Sequence, residues 1–361
     1  MRIKQASVRH ESVPIDHPVK TAFGTMTERH AVYLVVRDDA GHQGIGESWV
    51  NFPAWGPWER IAAFEHTIIP WLENREVEDV AATADGLYAA LRGPAVQSGT
   101  VGPLLGALCA VELALWDLAA QNEGVSLAQM LWDTPRDRVR VYASGINSPL
   151  PWDLIDAHLD WGVTLFKLKL GFGDDLDRRN LDALHAHLDG RASLAVDVNR
   201  AWTLEKALSW LDILAGHGVA WLEEPLCVED EPRMGVLQAE SRVPIAGAEN
   251  WMLTPDIDLA ALAQSSIDVV QPDLTKYAPL HLVQQISQAL AGTEKRLVPH
   301  YLGSAPGGAA SLHFAAGCHE GLLEWDLNRN PLRTAFFHEA FIIEDGCIAL
   351  PERPGLGWAY D

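Results

Sequence analysis

The segment TLFKLKLGFGDDLDRRNLDALHAHLDGRASLAVDV, residues 164–198, contains the repeating unit that decides the fold. It begins with the β-rich run TLFKLKL (164–170) and ends with a second one, ASLAVDV (192–198), and a helical stretch lies between them. Continuous apolar strands that alternate with helices are typical of a parallel sheet covered on both faces. The segment therefore predicts a strand–helix–strand unit of a parallel sheet.

The same alternation of β-rich runs and helical stretches begins at about residue 138 and continues to residue 326. The β-rich runs are VRVYAS (139–144), TLFKLKL (164–170), ASLAVDV (192–198), VAWLEEP (219–225), VPIAGAE (243–249), IDVVQPD (267–273), KRLVPH (295–300) and GLLEWD (321–326). Eight parallel strands with room for a helix between most of them predict a barrel surrounded by helices.

The first part of the chain has a different pattern, which is typical of an α+β domain. The runs AVYLVVR (31–37) and IGESWV (45–50), with the Asp/Gly-rich turn DDAGHQG (38–44) between them, predict a β-hairpin. Helical spacing of apolar residues extends from Trp58 to Arg92. The stretch at 104–121, LLGALCAVELALWDLAAQ, is apolar almost all round and predicts a buried helix.

The composition excludes several kinds of partner. The chain of 361 residues is 48% hydrophobic and 21% charged, and its formal net charge of −22 argues against nucleic acids and anionic membranes. The most apolar stretch, 104–120, is interrupted by Glu112 and Asp117 and is too short to span a bilayer. The N-terminus has no apolar signal region and the four cysteines are scattered, which predicts a cytoplasmic protein.

Most of the β-rich runs place a titratable residue at or near the end of the strand. The seven residues are Lys169, Asp197, Glu223, Glu249, Asp273, His300 and Glu324. Consecutive members are 24 to 28 residues apart, which is close to the length of one strand–helix unit of a barrel. One such residue is often a solvated loop start or a helix cap, but seven in register are harder to explain that way. They predict a site at the C-terminal mouth of the barrel, where catalytic residues converge.

Three consecutive members of this set are carboxylates, Asp197, Glu223 and Glu249. Three hard oxygen ligands without cysteine favour Mg²⁺ over zinc, and a bound ion would offset the repulsion among them. We therefore predict Mg²⁺ as the cofactor.

Candidate bases lie on both sides of the three carboxylates. Lys167 and Lys169 alternate along one strand, so both point into the barrel. On the other side, His300 follows Asp273 by one strand, and a carboxylate beside an imidazole can fix its tautomer and raise its basicity. A metal flanked by two bases suits removal of the proton α to a carboxylate, because the metal stabilises the enediolate.

These residues resemble those of the mandelate racemase branch of the enolase superfamily, and the resemblance covers nearly the whole chain. The segments that carry it are GIGES (44–48), AVELALWDLAA (110–120), FKLKLG (166–171), AVDVNRAW (195–202), WLEEP (221–225), PIAGAEN (244–250), VVQPDLTK (269–276), VPH (298–300), LEWD (323–326) and PGLGW (354–358). The resemblance implies an α/β fold with an N-terminal α+β capping domain (1–125) and a (β/α)₇β modified TIM barrel (126–330). It also implies a C-terminal segment (331–361) that returns to the capping domain.

Carried over residue by residue, the resemblance implies three groups of site residues. The expected Mg²⁺ ligands are Asp197, Glu223 and Glu249. The expected catalytic residues are Lys167, Lys169, Asp273 and His300. The expected substrate-binding residues are Asn199 and Glu324. In the catalytic group, Lys169 looks like one base and His300, paired with Asp273, looks like the other, while Lys167 assists at the substrate carboxylate.

The expected substrate is a small carboxylate, an acid sugar or its lactone. The muconate-lactonizing and dipeptide-epimerase branch carries a lysine base at the strand end where this chain has Asp273. Lys276, three residues further on, is interpreted as structural. The segments KLKLGFGDDLD (167–177) and LEWDLNRNPLR (323–333) resemble most closely the galactarolactone cycloisomerases. We therefore expect a cycloisomerase or an acid-sugar dehydratase, assembled as a homo-oligomer like its relatives.

Three alternatives remain open at this point. HPVKTAFGT (17–25) is similar to the cap of mandelate racemase, which keeps a racemase or epimerase of an α-hydroxy acid as a candidate. A metal-binding barrel without catalysis would keep the ligands alone. An aldolase-like barrel would use Lys169 to form a Schiff base, although the three carboxylates argue against it.

Specificity is expected to come from two capping loops, at residues 18–30 and 50–59. Their aromatic residues are Phe23, Phe52, Trp55 and Trp58. Packing between cap and barrel is the alternative role for at least two of the four. Aromatic residues that lined the pocket would suit a ring or an aryl group better than a bare polyol acid.

Overall fold

The structure is a computed structural model of the chain, and it describes residues 1–21, 24–333 and 341–357. Its N-terminal part contains an antiparallel sheet in the order β1 (Ile3–Thr21), β2 (Gly24–Asp38) and β3 (Gln43–Trp49). The predicted hairpin is the β2–β3 pair, and it is confirmed. The sequence did not predict β1, which is an edge strand with Pro14 at a register shift and few alternating apolar residues.

Five helices follow in the described chain, and a π-helical turn at Phe64–Ile68 joins the first two. They are α1 (Gly56–Ala63), α2 (Ile69–Leu72), α3 (Val80–Ser98), α4 (Val101–Glu123) and α5 (Leu127–Leu131). The helical stretch predicted from Trp58 to Arg92 is therefore interrupted. The break falls in the charged segment 73–79, where Asn74 has a left-handed backbone and Asp79 caps α3 by accepting a hydrogen bond from Ala82 N at 2.7 Å.

Helix α4 is the buried helix that the sequence predicts. Its length and apolarity would suit a membrane span, but 78% of its most apolar window is buried inside the protein. It lies directly on β3, where a side chain at Gly46 would place its Cβ only 1.9 Å from Ala110 O. Glycine at this position therefore sets the distance between the helix and the sheet.

Eight parallel strands form the second part of the molecule. They are β4 (Arg138–Ile146), β5 (Leu165–Lys169), β6 (Ser193–Asp197), β7 (Leu222–Glu223), β8 (Ile245–Gly247), β9 (Val269–Val270), β10 (Arg296–Leu297) and β11 (Leu322–Asp326). Seven of the eight predicted runs contain one of them entirely, and β4 extends beyond its run (139–144) at both ends. The strands pair in order from β4 to β10, and β11 pairs with the other edge of β4.

A helix follows each of the first seven of these strands, in a part of the chain that the structure describes without a gap. The seven helices are α6 (Trp152–Asp160), α7 (Asp174–Leu188), α8 (Leu204–Gly216), α9 (Met234–Glu240), α10 (Leu259–Ala263), α11 (Leu280–Leu290) and α12 (Ala305–Ala315). Single 3₁₀ turns lie at Glu231–Arg233 and Pro331–Arg333. The predicted (β/α)₇β barrel is confirmed.

Several barrel strands are shorter than the predicted runs. Strands β7 to β10 have only two or three residues each. Beyond the ends of β6, β7 and β8, the backbone turns left-handed at Asn199 (φ 46°), Glu224 (φ 39°) and Ala248 (φ 100°). These turns end the pairing between the strands close to the predicted site residues Asp197, Glu223 and Glu249.

The C-terminal part adds a hairpin that the sequence did not predict, β12 (Ile343–Glu344) and β13 (Cys347–Ala349), which pairs with the start of β4. The following coil contacts the helices of the N-terminal part, since Leu356 N donates to Asp117 Oδ1 at 2.8 Å. Trp358, the last residue of PGLGW, lies outside the described residues. The domain limits given above stay a prediction.

His313, on α12, supplies a pH-dependent part of the stability. Its Nδ1 accepts from Ala128 N at 3.3 Å and its Nε2 lies 3.2 Å from Leu356 O, so the neutral ring serves both partners. Burial lowers the pKa of His313 from 6.5 to about 4, although the Leu356 carbonyl opposes this shift. Between these values the unfolded chain binds a proton that the folded chain does not, so this group costs about 3 kcal/mol of stability as the pH falls from 6.5 to 4.

We expect His313→Gln to remove this dependence, because glutamine can make similar hydrogen bonds without titrating. Urea unfolding of the wild type and the variant between pH 4 and pH 7 measures the difference. Below pH 6.5 the wild type should lose more stability than the variant as the pH falls. Parallel plots of the two free energies of unfolding against pH would contradict the assignment.

Candidate active site

The predicted site residues lie at the carboxyl ends of the barrel strands. Lys169, Asp197 and Glu223 are in direct register across β5, β6 and β7. The loops after β8, β9 and β10 carry Glu249, Asp273 and His300, while Glu324 lies on β11 opposite Tyr142. Glu249 is partly exposed, and the other six are buried. The structure therefore brings all seven strand-end residues to one end of the barrel.

Lys167 connects two of the acidic residues. Its Nζ contacts Glu223 Oε1 and lies 2.8 Å from Glu324 Oε1. Burial lowers the pKa of Lys167, but these carboxylates raise it further, so the net pKa is well above its ordinary value. Glu223 also accepts from Trp221 Nε1 at 3.0 Å and from Gln271 Nε2 at 2.8 Å. Its carboxylate is thus held from three sides.

Lys169 contacts the turn that follows β6. Its Nζ donates to Asp197 Oδ2 at 2.7 Å and to Asn199 Oδ1 at 2.8 Å. The left-handed backbone of Asn199 lets its own N–H return to Asp197 Oδ1 at 2.8 Å. Burial lowers the pKa of Lys169, but the Asp197 carboxylate raises it more, so the amine holds its proton in this arrangement.

His300 lies between two carboxylates. Its Nδ1 is 2.7 Å from Asp273 Oδ2, and its Nε2 is 3.0 Å from Glu249 Oε2. Burial lowers the pKa of His300, but the carboxylates of Glu249 and Glu324 and the bond to Asp273 raise it well above its ordinary value. With an acceptor at each nitrogen, this arrangement favours the protonated imidazolium.

The three carboxylates predicted as Mg²⁺ ligands lie on adjacent strands, but each is engaged by a cation of the chain. Within the described residues, no three acidic, histidine or cysteine side chains are grouped closely enough to hold one ion. The donor chemistry nevertheless fits Mg²⁺, since all three residues supply hard oxygen atoms. Burial and acidic neighbours raise the pKa of Glu223 to about 7 and that of Glu224 to about 8. This excess of buried negative charge is what a divalent cation would relieve.

Lys276 belongs to this charge cluster, although the sequence interpretation made it structural. Its Nζ lies 3.1 Å from Glu249 Oε1 and 2.6 Å from Asn250 Oδ1. The pKa of Glu249 is raised by burial but lowered further by His300 and Lys276, so it lies well below its ordinary value. The feature of the sequence that could have indicated this role is the position of Lys276, three residues after Asp273 at the strand end.

Two residues of the cap, Glu47 and Trp49, also reach this end of the barrel, and sequence reasoning missed both. Glu47 is fully buried against the start of α12, and the Trp49 ring lies edge-on to the His300 ring at 6.3 Å between centroids. Burial raises the pKa of Glu47 to about 7, although Ser304 and Gly307 donate hydrogen bonds to it. The available signal was their alternation on β3, which places both side chains on one face.

The aromatic residues predicted for the capping loops are arranged differently. Phe23 lies outside the described residues. Trp55 and Trp58 are each 59% exposed, and the Trp58 ring packs edge-on against His10 at 5.0 Å. Neither tryptophan is enclosed in the barrel mouth, whereas Trp49 is in contact with His300.

Two family models match the chain. The N-terminal domain of mandelate racemase / muconate lactonizing enzyme matches residues 3–131, and the enolase C-terminal domain-like family matches residues 153–361. Together they cover both parts of the fold described above.

Three curated relatives indicate the range of activities among similar proteins. D-galactarolactone cycloisomerase of Agrobacterium fabrum is 29% identical, over 95% of this chain and 92% of its own length. Arabinonate dehydratase of Saccharolobus solfataricus is 26% identical, over 88% of this chain and 85% of its own length. L-Lys-D/L-Arg epimerase of Methylococcus capsulatus is 26% identical, over 100% of this chain and 99% of its own length.

Two solved structures are similar over almost their whole length. A mandelate racemase/muconate lactonizing enzyme from Bordetella bronchiseptica RB50 is 34% identical, with a TM-score of 0.89, over 100% of this chain and 98% of that one. A racemase from Streptomyces coelicolor A3(2) with bound magnesium has a TM-score of 0.86 at 23% identity, over 99% of this chain and 97% of that one. This similarity shows a common fold.

A buried ion pair beside the site joins the sheet of the cap to the barrel. Arg29, on β2, contacts Asp326, which lies two residues after Glu324 on β11. Both side chains are 2% exposed. Burial raises the pKa of Asp326, but Arg29 and Arg333 lower it further, so the net pKa is below its ordinary value.

We expect Arg29→Met to cost about 3–5 kcal/mol of the free energy of unfolding, because it leaves the Asp326 carboxylate buried without this partner. The double variant Arg29→Met/Asp326→Leu should regain most of that loss, since it removes the buried charge as well. Urea unfolding of the two single variants and the double variant measures both effects. Additive losses in the double variant would show that the pair is not coupled.

Proposed function

The chain belongs to the mandelate racemase/muconate lactonizing enzyme family of the enolase superfamily, and we propose that it removes the α-proton of a sugar acid or its lactone. One observation carries the proposal: Lys169 and the His300–Asp273 pair approach the same group of buried carboxylates from opposite sides. Two proton-transfer groups around one acidic centre suit a reaction in which one proton is removed and a second is delivered. The cycloisomerase and the dehydratase among the relatives support an acid sugar as the substrate.

We propose Asp197, Glu223 and Glu249 as the residues that hold Mg²⁺. Their oxygen atoms and the negative charge around them support this assignment, as does the magnesium in the racemase of the same fold. When bound, Mg²⁺ supplies positive charge to these carboxylates and to the enediolate that proton removal creates.

Lys167 and Glu324 are proposed to hold the substrate carboxylate. Both side chains are almost completely buried, and Lys167 Nζ lies 2.8 Å from Glu324 Oε1. Oε2 of Glu324 has no hydrogen-bond partner among the described residues and lies 3.8 Å from His300 Nε2. A buried acceptor without a partner is costly, so a donor group of the substrate is a suitable occupant. Asn199, 2.8 Å from Lys169, is proposed to contact the substrate beside that base.

Lys169 and His300 are proposed as the two proton-transfer groups. Both hold a proton in the arrangement described, because Asp197 and Glu249 stabilise their charged forms. One of the two must therefore be neutral before it can accept the α-proton. The other, still protonated, can deliver a proton to the group that leaves.

The step after proton removal decides the product. In a lactone cycloisomerase, the electron pair of the broken C–H bond forms a double bond, and the ring carboxylate leaves from the β-position. In a dehydratase, hydroxide leaves instead and takes up a proton to become water. In both cases the protonated group on the opposite side of the pocket can assist the departure.

Racemisation or epimerisation is the second candidate, and the opposed placement of Lys169 and His300 favours it. The second group would return a proton to the other face of the same carbon. Mass spectrometry in D₂O separates the outcomes, because a racemised acid gains one deuterium whereas a dehydrated acid loses water. The expectation of a cytoplasmic homo-oligomer stays a prediction.

We expect wild-type protein with Mg²⁺ to exchange the α-proton of at least one acid in a library of sugar acids and lactones, beginning with D-galactarolactone and arabinonate. Lys169→Ala and His300→Asn should each lower turnover by about 10²- to 10⁴-fold, because each removes a proton-transfer group. Proton NMR in D₂O measures exchange and turnover.

Three outcomes would argue against the proposal. Unchanged turnover in both variants would refute the two-base assignment. Metal binding without exchange across the library would favour a barrel that binds metal without catalysis. Borohydride trapping of a keto acid on Lys169 would favour the Schiff-base mechanism.

Removal of Mg²⁺ with EDTA should abolish exchange, and added MgCl₂ should restore it. Glu249→Gln should weaken Mg²⁺ binding about tenfold or more, because a neutral oxygen replaces a charged ligand. Calorimetric titration of EDTA-treated protein measures the affinity directly. Glu231→Gln, at a half-exposed carboxylate that pairs with Arg200, is the matched control and should bind Mg²⁺ like the wild type.

A further inference from the structure

The geometry points to a positioning role for two residues of the cap strand β3, Glu47 and Trp49, which hold the His300–Asp273 pair in place. This inference rests on the proposed function, since it concerns one of the two proposed proton-transfer groups. The two residues are separated by one position on β3, so their side chains leave the same face of the sheet. That face contacts the loops that follow β9 and β10.

Glu47 fixes the segment after His300. Its carboxylate accepts from Ser304 N at 2.9 Å, from Ser304 Oγ at 2.7 Å and from Gly307 N at 3.0 Å. These donors belong to the start of α12, where free N–H groups favour a carboxylate. A Cβ at Gly303 or Gly307 would lie 2.8 or 2.5 Å from the Glu47 oxygens, so both glycines leave the space that this carboxylate occupies. The cap thereby holds the chain four residues after His300.

Trp49 contacts the loops of both members of the pair. Its indole Nε1 donates to Leu302 O at 3.1 Å, in the loop of His300. Its backbone N–H donates to Thr275 O at 2.9 Å, in the loop of Asp273. Thr275 in turn donates both its N–H and its hydroxyl to Asp273 Oδ1, each at 2.7 Å. One cap residue therefore sets the distance between the two loops that carry His300 and Asp273.

The ring of Trp49 extends this contact to the acidic centre. It lies edge-on to the His300 ring, and the Lys276 ammonium lies 5.2 Å from its centroid. Lys276 Nζ is also 3.1 Å from Glu249, which contacts the other nitrogen of His300. Trp49 and its neighbours thus limit the orientation of the His300 ring on two sides.

The other proposed base is held differently. The hydrogen-bond partners of Lys169 among the described residues are Asp197 and Asn199, which both belong to the barrel. A change in Glu47 or Trp49 should therefore disturb proton transfer at His300 and leave proton transfer at Lys169 in place. A residue that only stabilised the fold would affect both groups alike.

Two variants test the inference in the full-length protein with Mg²⁺. Trp49→Phe keeps a ring but removes the indole hydrogen bond to Leu302, and Glu47→Gln keeps the size of the side chain but removes its charge. Trp71→Phe, in the α2 region of the cap beneath Arg75, is the matched control. Circular dichroism and Mg²⁺ titration show whether each variant is folded and binds the ion like the wild type.

The first readout needs no substrate. In protein labelled with ¹⁵N-histidine, the imidazole signals of His300 are assigned by their loss in His300→Asn. We expect Trp49→Phe and Glu47→Gln to shift these signals and to speed exchange of the ring N–H protons with water, while Trp71→Phe leaves them unchanged. Unchanged His300 signals in both variants would overturn the inference, whatever the activity of the protein.

The second readout uses the acid that wild-type protein exchanges. α-Proton exchange is measured separately for the two epimers, whose protons face opposite sides of the pocket, and Lys169→Ala and His300→Asn identify the face of each base. We expect both cap variants to lower exchange on the His300 face by about ten- to a hundredfold, with less than about twofold change on the Lys169 face. Equal loss on both faces would overturn the inference. If no acid exchanges with wild-type protein, the proposed function fails, and the NMR readout alone still decides the positioning role.

Discussion

The site depends on one constraint, which is that its buried carboxylates and cations must balance one another because burial keeps water away from them. The carboxylates gathered at the mouth are Asp197, Glu223, Glu224, Glu249, Asp273 and Glu324. The cations that face them are Lys167, Lys169, Lys276 and His300. Seven of the eight barrel strands carry a titratable group at or just beyond their carboxyl end, and a buried charge without a partner costs several kcal/mol. Burial raises the pKa of Glu223 to about 7, and neighbouring carboxylates add to this shift although Lys167 opposes it. The net charge of −22 belongs to the chain as a whole, whereas in the site four cations face six carboxylates.

The cap takes part in this arrangement directly. Gly46 brings α4 close to one face of β3, and Glu47 and Trp49 reach across to the barrel from the other face. The buried pair of Arg29 and Asp326 makes a second connection, beside Glu324. Buried carboxylates at such contacts are stable only while both parts keep their geometry. The cap and the mouth of the barrel are thus one cooperative unit around the site.

The sequence predicted the barrel well because its strands are buried on both faces and read as continuous apolar runs. The spacing of Lys169, Asp197 and the residues after them then placed the strand ends. Strand β1 was missed because an edge strand with Pro14 shows little periodicity, and the short β12–β13 hairpin has no pattern of its own. Glu47 was missed for a different reason. Its partner Ser304 is 257 residues away, and no local pattern records a contact that only the folded chain creates.

The two proposed proton-transfer groups differ in what holds them, and this difference bears on how one fold supports several reactions. Cycloisomerisation, dehydration and racemisation share the removal of an α-proton and differ in where the second proton goes. Lys169 is fixed by the turn after β6, inside the barrel, while His300 is fixed by the barrel and by Trp49 of the cap. A change in the cap can therefore alter the shape of the pocket and the orientation of His300 together, while the barrel keeps Lys169 and the acidic centre unchanged.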